Sequence, residues 1–152
     1  MKKIIIDSNI ILNVWRLETD PATGKKLFAS SADILEMALR AEITGVLLTT
    51  TAMEVLHGVR VRAEITGKPA ELAMKAAEKD IARSGLHLTI PDVSIMGMAY
   101  QLFRSLQTDP FDAILVAAAF TEKADSIISR DKKLKKKASK IIPILTPEDF
   151  LQ

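Results

Sequence analysis

The sequence predicts one α/β domain over residues 1–152, in which a doubly wound, mostly parallel sheet of about five strands lies between two helical layers. Two observations predict this three-layer α/β/α class. Short apolar runs rich in branched residues alternate with longer segments whose apolar residues recur every three or four positions. Strands that are separated by helices favour parallel pairing, because a parallel neighbour can be reached only through a crossover.

Five apolar runs bounded by turn signals are the candidate strands. They are residues 4–6, 46–48, 86–88, 127–128 and 141–144. Gly45 is placed to end the preceding helix and to open the second strand, and Pro91 ends the third. The sequence therefore predicts one strand close to the amino terminus and a pair of strands close to the carboxyl terminus.

Helical periodicity fills the segments between these runs. One helix begins near Thr51 and is broken at residues 67–69, and a second helix over residues 70–83 ends before Gly85. Together they predict a helical hairpin inserted at about 52–84. Asp109 followed by Pro110 has the pattern of an N-cap and a first-turn proline, which predicts another helix start.

Composition excludes several classes of site. With no cysteine, the chain cannot use disulfides, thiolate zinc sites, iron–sulfur clusters or a cysteine nucleophile. No uncharged stretch approaches the roughly 18 to 20 residues needed to span a bilayer. The apolar run after Lys3 ends at Asp7, which is too short for a signal peptide. We therefore expect no membrane segment and a cytoplasmic location.

Four acidic residues fall at predicted helix starts that follow strands or lead into the next strand, where ligands of doubly wound sheets bind. Each also has an ordinary structural interpretation. Asp7 and Asp131 could be N-caps. Glu54 could complete a capping box with Thr51, and Asp112 could be an anion in the first turn of a helix. Their joint occurrence favours a shared site formed by Asp7, Glu54, Asp112 and Asp131.

A cluster of carboxylates requires either protons or a cation. At about 4 Å and an effective dielectric constant near 20, each pair repels by about 4 kcal/mol. Oxygen ligands without thiolates favour Mg²⁺ or Mn²⁺, and such an ion can activate water for attack on a phosphodiester. Without these four acids the chain has 21 basic and 19 − 4 = 15 acidic residues, a balance that suits a polyanionic substrate.

A basic segment over residues 130–140 follows the fourth candidate strand. It could be a solvated helix face or could bind phosphates. Aromatic residues make up only 5% of the chain, so any grip on a polyanionic substrate is expected to depend mainly on phosphate contacts. The candidate residues for these contacts are Arg130, Lys132, Lys133 and Lys136.

The sequence resembles the PIN-domain nucleases, and in particular the VapC-type ribonuclease toxins of toxin–antitoxin pairs. The matching segments span nearly the whole chain. They are IIIDSN at residues 4–9, TAMEV at 51–55, DAILVAAA at 112–119 and ISRD at 128–131. Each segment is weak alone, but their order and spacing together are specific.

This resemblance implies a PIN-like fold and Mg²⁺- or Mn²⁺-dependent cleavage of RNA. It also implies a homodimer and an antitoxin protein whose tail blocks the site. Asp7, Glu54 and Asp112 match the family's metal-binding catalytic acids, and Asp131 matches a more variable fourth acid. By the same resemblance the small polar positions beside the site are Asn9 and Ser129.

Two other interpretations of the acidic residues were considered. The chain could be a catalytically inactive PIN-like module that binds RNA or a protein. It could also be a phosphoryl-transfer receiver domain, which clusters acids at strand ends. The receiver interpretation is disfavoured because Asp7 follows the first strand in sequence, and Lys132 comes too soon after Asp131.

Overall fold

Five parallel strands form the central layer of the computed structural model, which describes residues 1–152. The strands are β1 (Lys3–Ile6), β2 (Thr44–Leu48), β3 (His87–Thr89), β4 (Ser126–Ile128) and β5 (Ile144–Leu145). They pair in the order β3-β2-β1-β4-β5, and all four pairings are parallel. The predicted doubly wound α/β class, with helices on both faces of the sheet, is confirmed.

Eight helices cover the two faces of this sheet. They are α1 (Ser8–Trp15), α2 (Leu27–Leu39), α3 (Thr49–Ile65), α4 (Ala70–Arg83), α5 (Val93–Leu106), α6 (Pro110–Thr121), α7 (Lys132–Ala138) and α8 (Pro147–Phe150). Helices α1 to α4 contribute to the apolar cluster on one face, and α5 to α7 contribute to the cluster on the other. None of the helices combines the length and the apolar composition needed to cross a bilayer.

Strand β1 shows why these sequences are almost continuously apolar. Ile4 and Ile6 pack into the cluster formed with α1 to α4, whereas Ile5 packs into the opposite cluster. All three side chains are fully buried. Because successive side chains point to opposite faces, a strand that is covered on both faces must be apolar at every position.

The sheet order places a switch point between β1 and β4. The chain builds β1, β2 and β3 outward in one direction, then returns to add β4 and β5 on the other side of β1. Ile6 is in register with Ile128, and the Asp7 N–H donates to the Ile128 carbonyl at 3.1 Å. The residues directly after these two strands therefore lie side by side, where doubly wound folds bind ligands.

The structure corrects two predictions of local structure. The fifth strand is not residues 141–144, because the Ile141 and Ile142 N–H groups donate to the Ala138 carbonyl and close the end of α7. Pairing with β4 begins only at Ile144. Helix α3 begins at Thr49 rather than near Thr51, with no side-chain cap. By contrast, α4 and the start of α6 at Pro110 match their predicted positions.

Candidate functional site

Asp7 is the buried centre of the candidate site. It follows β1 directly, is only 8% exposed and caps α1. Its Oδ1 accepts a hydrogen bond from the Ser8 N–H at 2.7 Å. Its Oδ2 accepts from the Asn9 amide at 2.6 Å and from the Ser129 hydroxyl at 2.5 Å. Both carboxylate oxygens are therefore held in a fixed orientation by donors from the ends of β1 and β4.

The pKa of the Asp7 carboxyl reflects opposing effects. Burial raises it above its ordinary value, and the nearby Asp131 carboxylate raises it further. The donors from Ser129 and Ser8 lower it, but they do not cancel the cost of burial. The donors therefore stabilise the ionised Asp7 carboxylate only in part. A bound cation would stabilise it further.

Glu54 lies in the second turn of α3 and is half-buried. Because α3 begins at Thr49, Glu54 is too far along the helix to complete the capping box considered above. Burial, followed by the Asp7 and Asp109 carboxylates, raises its pKa to about 7. No hydrogen bond lowers this pKa, so the Glu54 carboxylate has no structural role that would explain its position.

Asp112 is the third residue of α6 and is half-buried at the start of that helix. The Asp109 side chain caps α6 by accepting from the Asp112 N–H at 2.9 Å. Burial raises the pKa of the Asp112 carboxyl to about 7, assisted by the charges of Asp109, Asp131 and Asp7. Although a helix start favours anions, the neighbouring carboxylates outweigh that effect here.

Asp131 combines a structural role with proximity to the other acids. Its Oδ1 accepts from the Lys133 N–H at 2.7 Å and from the Leu134 N–H at 3.1 Å, which caps α7. The same carboxylate raises the pKa of both Asp7 and Asp112. The N-cap interpretation of Asp131 is therefore correct, but it does not remove this residue from the acidic group.

Charge interactions link the four predicted acids to one another and to a fifth. Sequence reasoning treated Asp109 only as the N-cap of α6, yet its carboxylate raises the pKa of Glu54 and Asp112. The signal that could have identified it is its spacing, since residues three apart at a helix start lie on the same side. Asp109 is exposed, so it lies at the rim of the acidic group.

Arg130 has a different role from the predicted contact with RNA. Its guanidinium, 16% exposed, pairs with Glu148 at 2.7 Å and donates to Asn13 Oδ1 at 2.8 Å. Further bonds run to the Leu27 carbonyl and the Ser30 hydroxyl. Because these partners engage all three guanidinium nitrogens, a phosphate would have to compete with them for the Arg130 side chain. Nothing in the sequence pattern indicated Glu148 or Asn13.

The three predicted lysines remain exposed and free of ion pairs. Lys132, Lys133 and Lys136 all lie on α7, directly after Asp131. Their neighbours on this helix are engaged, since Lys135 pairs with Asp149 and Lys137 donates to a backbone carbonyl. The unpaired lysines of α7 thus come directly after Asp131 in the sequence.

The donor chemistry of the site fits a hard divalent cation. All the acids offer carboxylate oxygen, and Asp7, Glu54 and Asp112 carry raised pKa values that a positive charge would relieve. No three acidic or histidine side chains of the chain already stand together as a metal-holding group. Glu54 is the acid without a competing hydrogen bond, so it is the one most free to turn toward a cation.

Comparison with known proteins identifies the family of this arrangement. A family model described as PIN domain matches residues 3–133. No curated protein sequence matches the chain. The chain is nevertheless similar to several solved structures over nearly its whole length.

Three of these structures illustrate the similarity. A toxin–antitoxin complex from Klebsiella pneumoniae is 18% identical with a TM-score of 0.64, covering 95% of this chain and 97% of that chain. VapBC2 from Rickettsia felis, bound to a promoter DNA fragment, is 14% identical with a TM-score of 0.66, covering 95% and 98%. PAE2754 from Pyrobaculum aerophilum is 13% identical with a TM-score of 0.68, covering 99% and 87%. At these identities the comparison shows a shared fold.

The raised pKa values predict that metal-free protein becomes less stable as pH rises from 5 to 8. Between the ordinary carboxyl pKa and about 7, folded Glu54 and Asp112 bind protons that the unfolded chain has lost. The free energy of unfolding must therefore fall with pH in this window. We expect Glu54→Gln and Asp112→Asn to raise Tm at pH 8, by about 2–4 °C per kcal/mol of repulsion removed, and to flatten the pH dependence.

Thermal unfolding followed by circular dichroism in EDTA measures this effect. Glu71→Gln, on the exposed surface of α4, is the matched control and should keep the wild-type pH dependence. The paired Glu148, whose pKa is lowered to about 2, affects stability only at more acidic pH. A wild-type Tm that rises steadily from pH 5 to 8 would contradict the prediction.

Proposed function

The chain belongs to the PIN-domain family, and from this membership we propose that it is a Mg²⁺- or Mn²⁺-dependent endoribonuclease that hydrolyses phosphodiester bonds. The observation that carries the proposal is the buried Asp7 carboxylate, which three hydrogen-bond donors hold in the field of the Glu54 and Asp112 carboxyls. These carboxylates are wholly or partly buried, and each lies in the field of other acids. Such an arrangement is costly to folding, which argues that it serves a reaction.

The proposed roles follow from the contacts of each side chain. A bound Mg²⁺ or Mn²⁺ would supply a water of lowered pKa and would offset charge on the scissile phosphate. Asp7 would hold the ion with a carboxylate whose direction is fixed by Ser8, Asn9 and Ser129. Glu54 and Asp112 would complete the ligand set and give up the protons they hold near pH 7 in the free protein.

Asp131 is proposed as the fourth acid of this site. Its Oδ1 is committed to the cap of α7, which fixes the carboxylate at the edge of the group. From there it would orient water rather than replace Asp7 as a principal ligand. The exposed Asp109 carboxylate adds negative charge to the rim in the same region.

RNA is the proposed substrate, held mainly through its phosphates. Lys132, Lys133 and Lys136 follow Asp131 on α7 and form no ion pair, which supports the proposal that they bind a strand entering the acidic site. A cation-lined approach also offsets the repulsion between the RNA and the carboxylates.

We further propose that the chain is the toxin component of a toxin–antitoxin pair. Two of the similar structures are a toxin–antitoxin complex and a VapBC2 complex, which supports an antitoxin protein as partner. The antitoxin would act by covering the acidic site. The cytoplasm, where such a pair would meet RNA, remains the expected location.

A homodimer is proposed through the exposed face of α5. Val93, Met96, Tyr100 and Phe103 recur at helical spacing and are all exposed. Met96, Tyr100 and Phe103 border a largely apolar groove of about 330 Å³, together with Ala113 and Ile114 of α6. An isologous contact between two copies would bury this face against itself.

Replacing Asp7 with Asn is expected to reduce RNA cleavage by about 100-fold or more, because the loss of a metal ligand exceeds the usual effect of losing an outer contact. Folding should persist, since the change removes a buried charge and keeps the shape of the side chain. Cleavage of a labelled RNA in Mn²⁺, with EDTA as the metal-free condition, measures the effect. Asp33→Asn on the exposed surface of α2 is the matched control.

Two results would contradict the proposed function. Cleavage by Asp7→Asn at the wild-type rate would remove Asp7 from the reaction. Wild-type protein that binds RNA in Mg²⁺ or Mn²⁺ but never cuts it would instead favour the catalytically inactive PIN-like binding module.

Changing Lys132, Lys133 and Lys136 together to Gln is expected to weaken RNA binding and to flatten its salt dependence. On single-stranded RNA, each lost phosphate contact lowers the slope of log K against log salt by about 0.7, so three contacts lower it by about 2. Fluorescence anisotropy in the Asp7→Asn background measures binding without cleavage. The control with equal charge change is Lys75, Lys79 and Lys123 to Gln; equal effects in both triple variants would contradict a specific role for α7.

Replacing Tyr100, which is 66% exposed, with Glu is expected to convert a dimer to a monomer, because a charge would be buried in the apolar contact. Sedimentation equilibrium measures the change. Leu72→Glu, at a similarly exposed apolar position on α4, should leave the dimer intact. A wild-type chain that stays monomeric at high micromolar concentration would refute this interface.

A further inference from the structure

The carboxyl-terminal helix α8 contributes an ion pair close to the acidic site. Glu148 Oε2 accepts from Arg130 Nη1 at 2.7 Å, and Glu148 Oε1 accepts from Nη2 at 2.9 Å. The two side chains are only 16% and 20% exposed. Although partial burial raises the pKa of Glu148, hydrogen bonds from Arg130 and Ser30 bring it down to about 2. Arg130 and Glu148 thus form a bidentate ion pair that stays charged at neutral pH.

The same guanidinium ties three helices to one turn. Its Nε donates to Asn13 Oδ1 in α1 at 2.8 Å, and its Nη2 donates to the Leu27 carbonyl at 3.0 Å and the Ser30 hydroxyl at 2.9 Å in α2. Glu148 links α8 to the same guanidinium. The position of Arg130, and of the turn over residues 129–131, is therefore set by α1, α2 and α8 together.

This turn carries the contacts that orient Asp7. The Arg130 backbone N–H donates to Asn9 Oδ1 at 3.2 Å, which fixes the direction of the Asn9 amide. The Asn9 nitrogen consequently points at Asp7 Oδ2 and at the Ser129 hydroxyl. Ser129 precedes Arg130 and donates to Asp7, while Asp131 follows it. A shift of Arg130 would thus move Asn9 and Ser129, the two side chains that donate to Asp7 Oδ2.

We propose that Arg130 and Glu148 are positioning residues for Asp7, holding the turn over residues 129–131 so that Asn9 and Ser129 fix the direction of the Asp7 carboxylate. This inference rests on the proposed function, in which Asp7 holds the catalytic ion. The family model matches residues 3–133, so Glu148 lies beyond the matched region. Helix α8 therefore supports a site whose acidic residues all lie within the matched region.

The expected size of the effect follows from the precision that a reactive group requires. Catalytic side chains must be held within about 0.5 Å of their working position. Loss of an outer contact to a metal ligand typically lowers affinity or activity by about 10- to 100-fold. Neither Arg130 nor Glu148 needs to contact RNA or the ion for such an effect.

The test compares two part-buried ion pairs. Glu148→Gln replaces one carboxylate oxygen with an amide donor that faces the Arg130 fork. Glu122→Gln makes the same change in the Lys3–Glu122 pair, whose side chains are 31% and 28% exposed and whose Lys3 begins β1, at the end opposite Asp7. We expect both variants to lose stability, and Glu148→Gln to lose more, because Glu148 also accepts from Ser30. Only Glu148→Gln should lower kcat, by about tenfold, with KM for RNA nearly unchanged.

A second measurement does not depend on activity. The side-chain amide resonances of Asn9, followed by ¹⁵N NMR in metal-free protein, should shift in Glu148→Gln and stay unchanged in Glu122→Gln. Arg130→Lys should behave like Glu148→Gln, because a single ammonium cannot replace the fork. Unfolded fractions are measured by circular dichroism, so that a loss of folded protein is not counted as a loss of kcat.

The outcomes separate this inference from the proposed function. If the wild-type chain cuts no RNA, the nuclease proposal fails, and the Asn9 resonances still decide whether Arg130 and Glu148 position the turn. If Asn9 resonances and kcat are unchanged in Glu148→Gln, the positioning role is refuted. Equal losses of kcat in Glu148→Gln and Glu122→Gln would also refute it, because both pairs would then contribute only to general stability.

Discussion

The burial of the Asp7 carboxylate at the end of β1 is the constraint from which the rest of the site follows. A carboxylate that is removed from water must be met by donors, or it will bind a proton. Here the donors come from Ser8, Asn9 and Ser129, so the ends of β1 and β4 must lie together. Asn9 and Ser129 are in turn supported by Arg130, whose backbone N–H donates to Asn9 and whose side chain pairs with Glu148.

The order of strands explains why this can happen at one place in the sheet. Between β1 and β4 the chain reverses its direction of growth, so the helices that follow these two strands diverge to opposite faces. The gap between them leaves room for side chains from elsewhere. Helix α3 contacts α6, and the Glu54 and Asp112 carboxyls on these helices lie in the field of the Asp7 carboxylate. Acids that are distant in sequence thus interact because of the order in which strands and helices are arranged.

Much of this arrangement could be predicted from local chemistry. The predictions that failed did so for two reasons. Residues 70–83 and the Asp109–Pro110 helix start were predictable because propensity, capping and turn signals agree there. The fifth strand was misplaced because a short apolar run fits either a strand or the buried end of a helix. Glu148 could not be foreseen, since its pairing with Arg130 depends on how α8 packs beside α2, and no local pattern encodes that distance.

The structure also shows that capping a helix and belonging to an acidic site are compatible roles. Asp7 and Asp131 cap α1 and α7, and their hydrogen bonds fix them in place. Glu54 has no such bond, and the Asp112 carboxyl gains no donor that lowers its pKa. Counting Asp109, which caps α6, the acidic group therefore divides into three members anchored as helix caps and two that cap no helix. Such a division suits a cation, because fixed carboxylates set its location while adjustable ones can close around it without distorting the sheet.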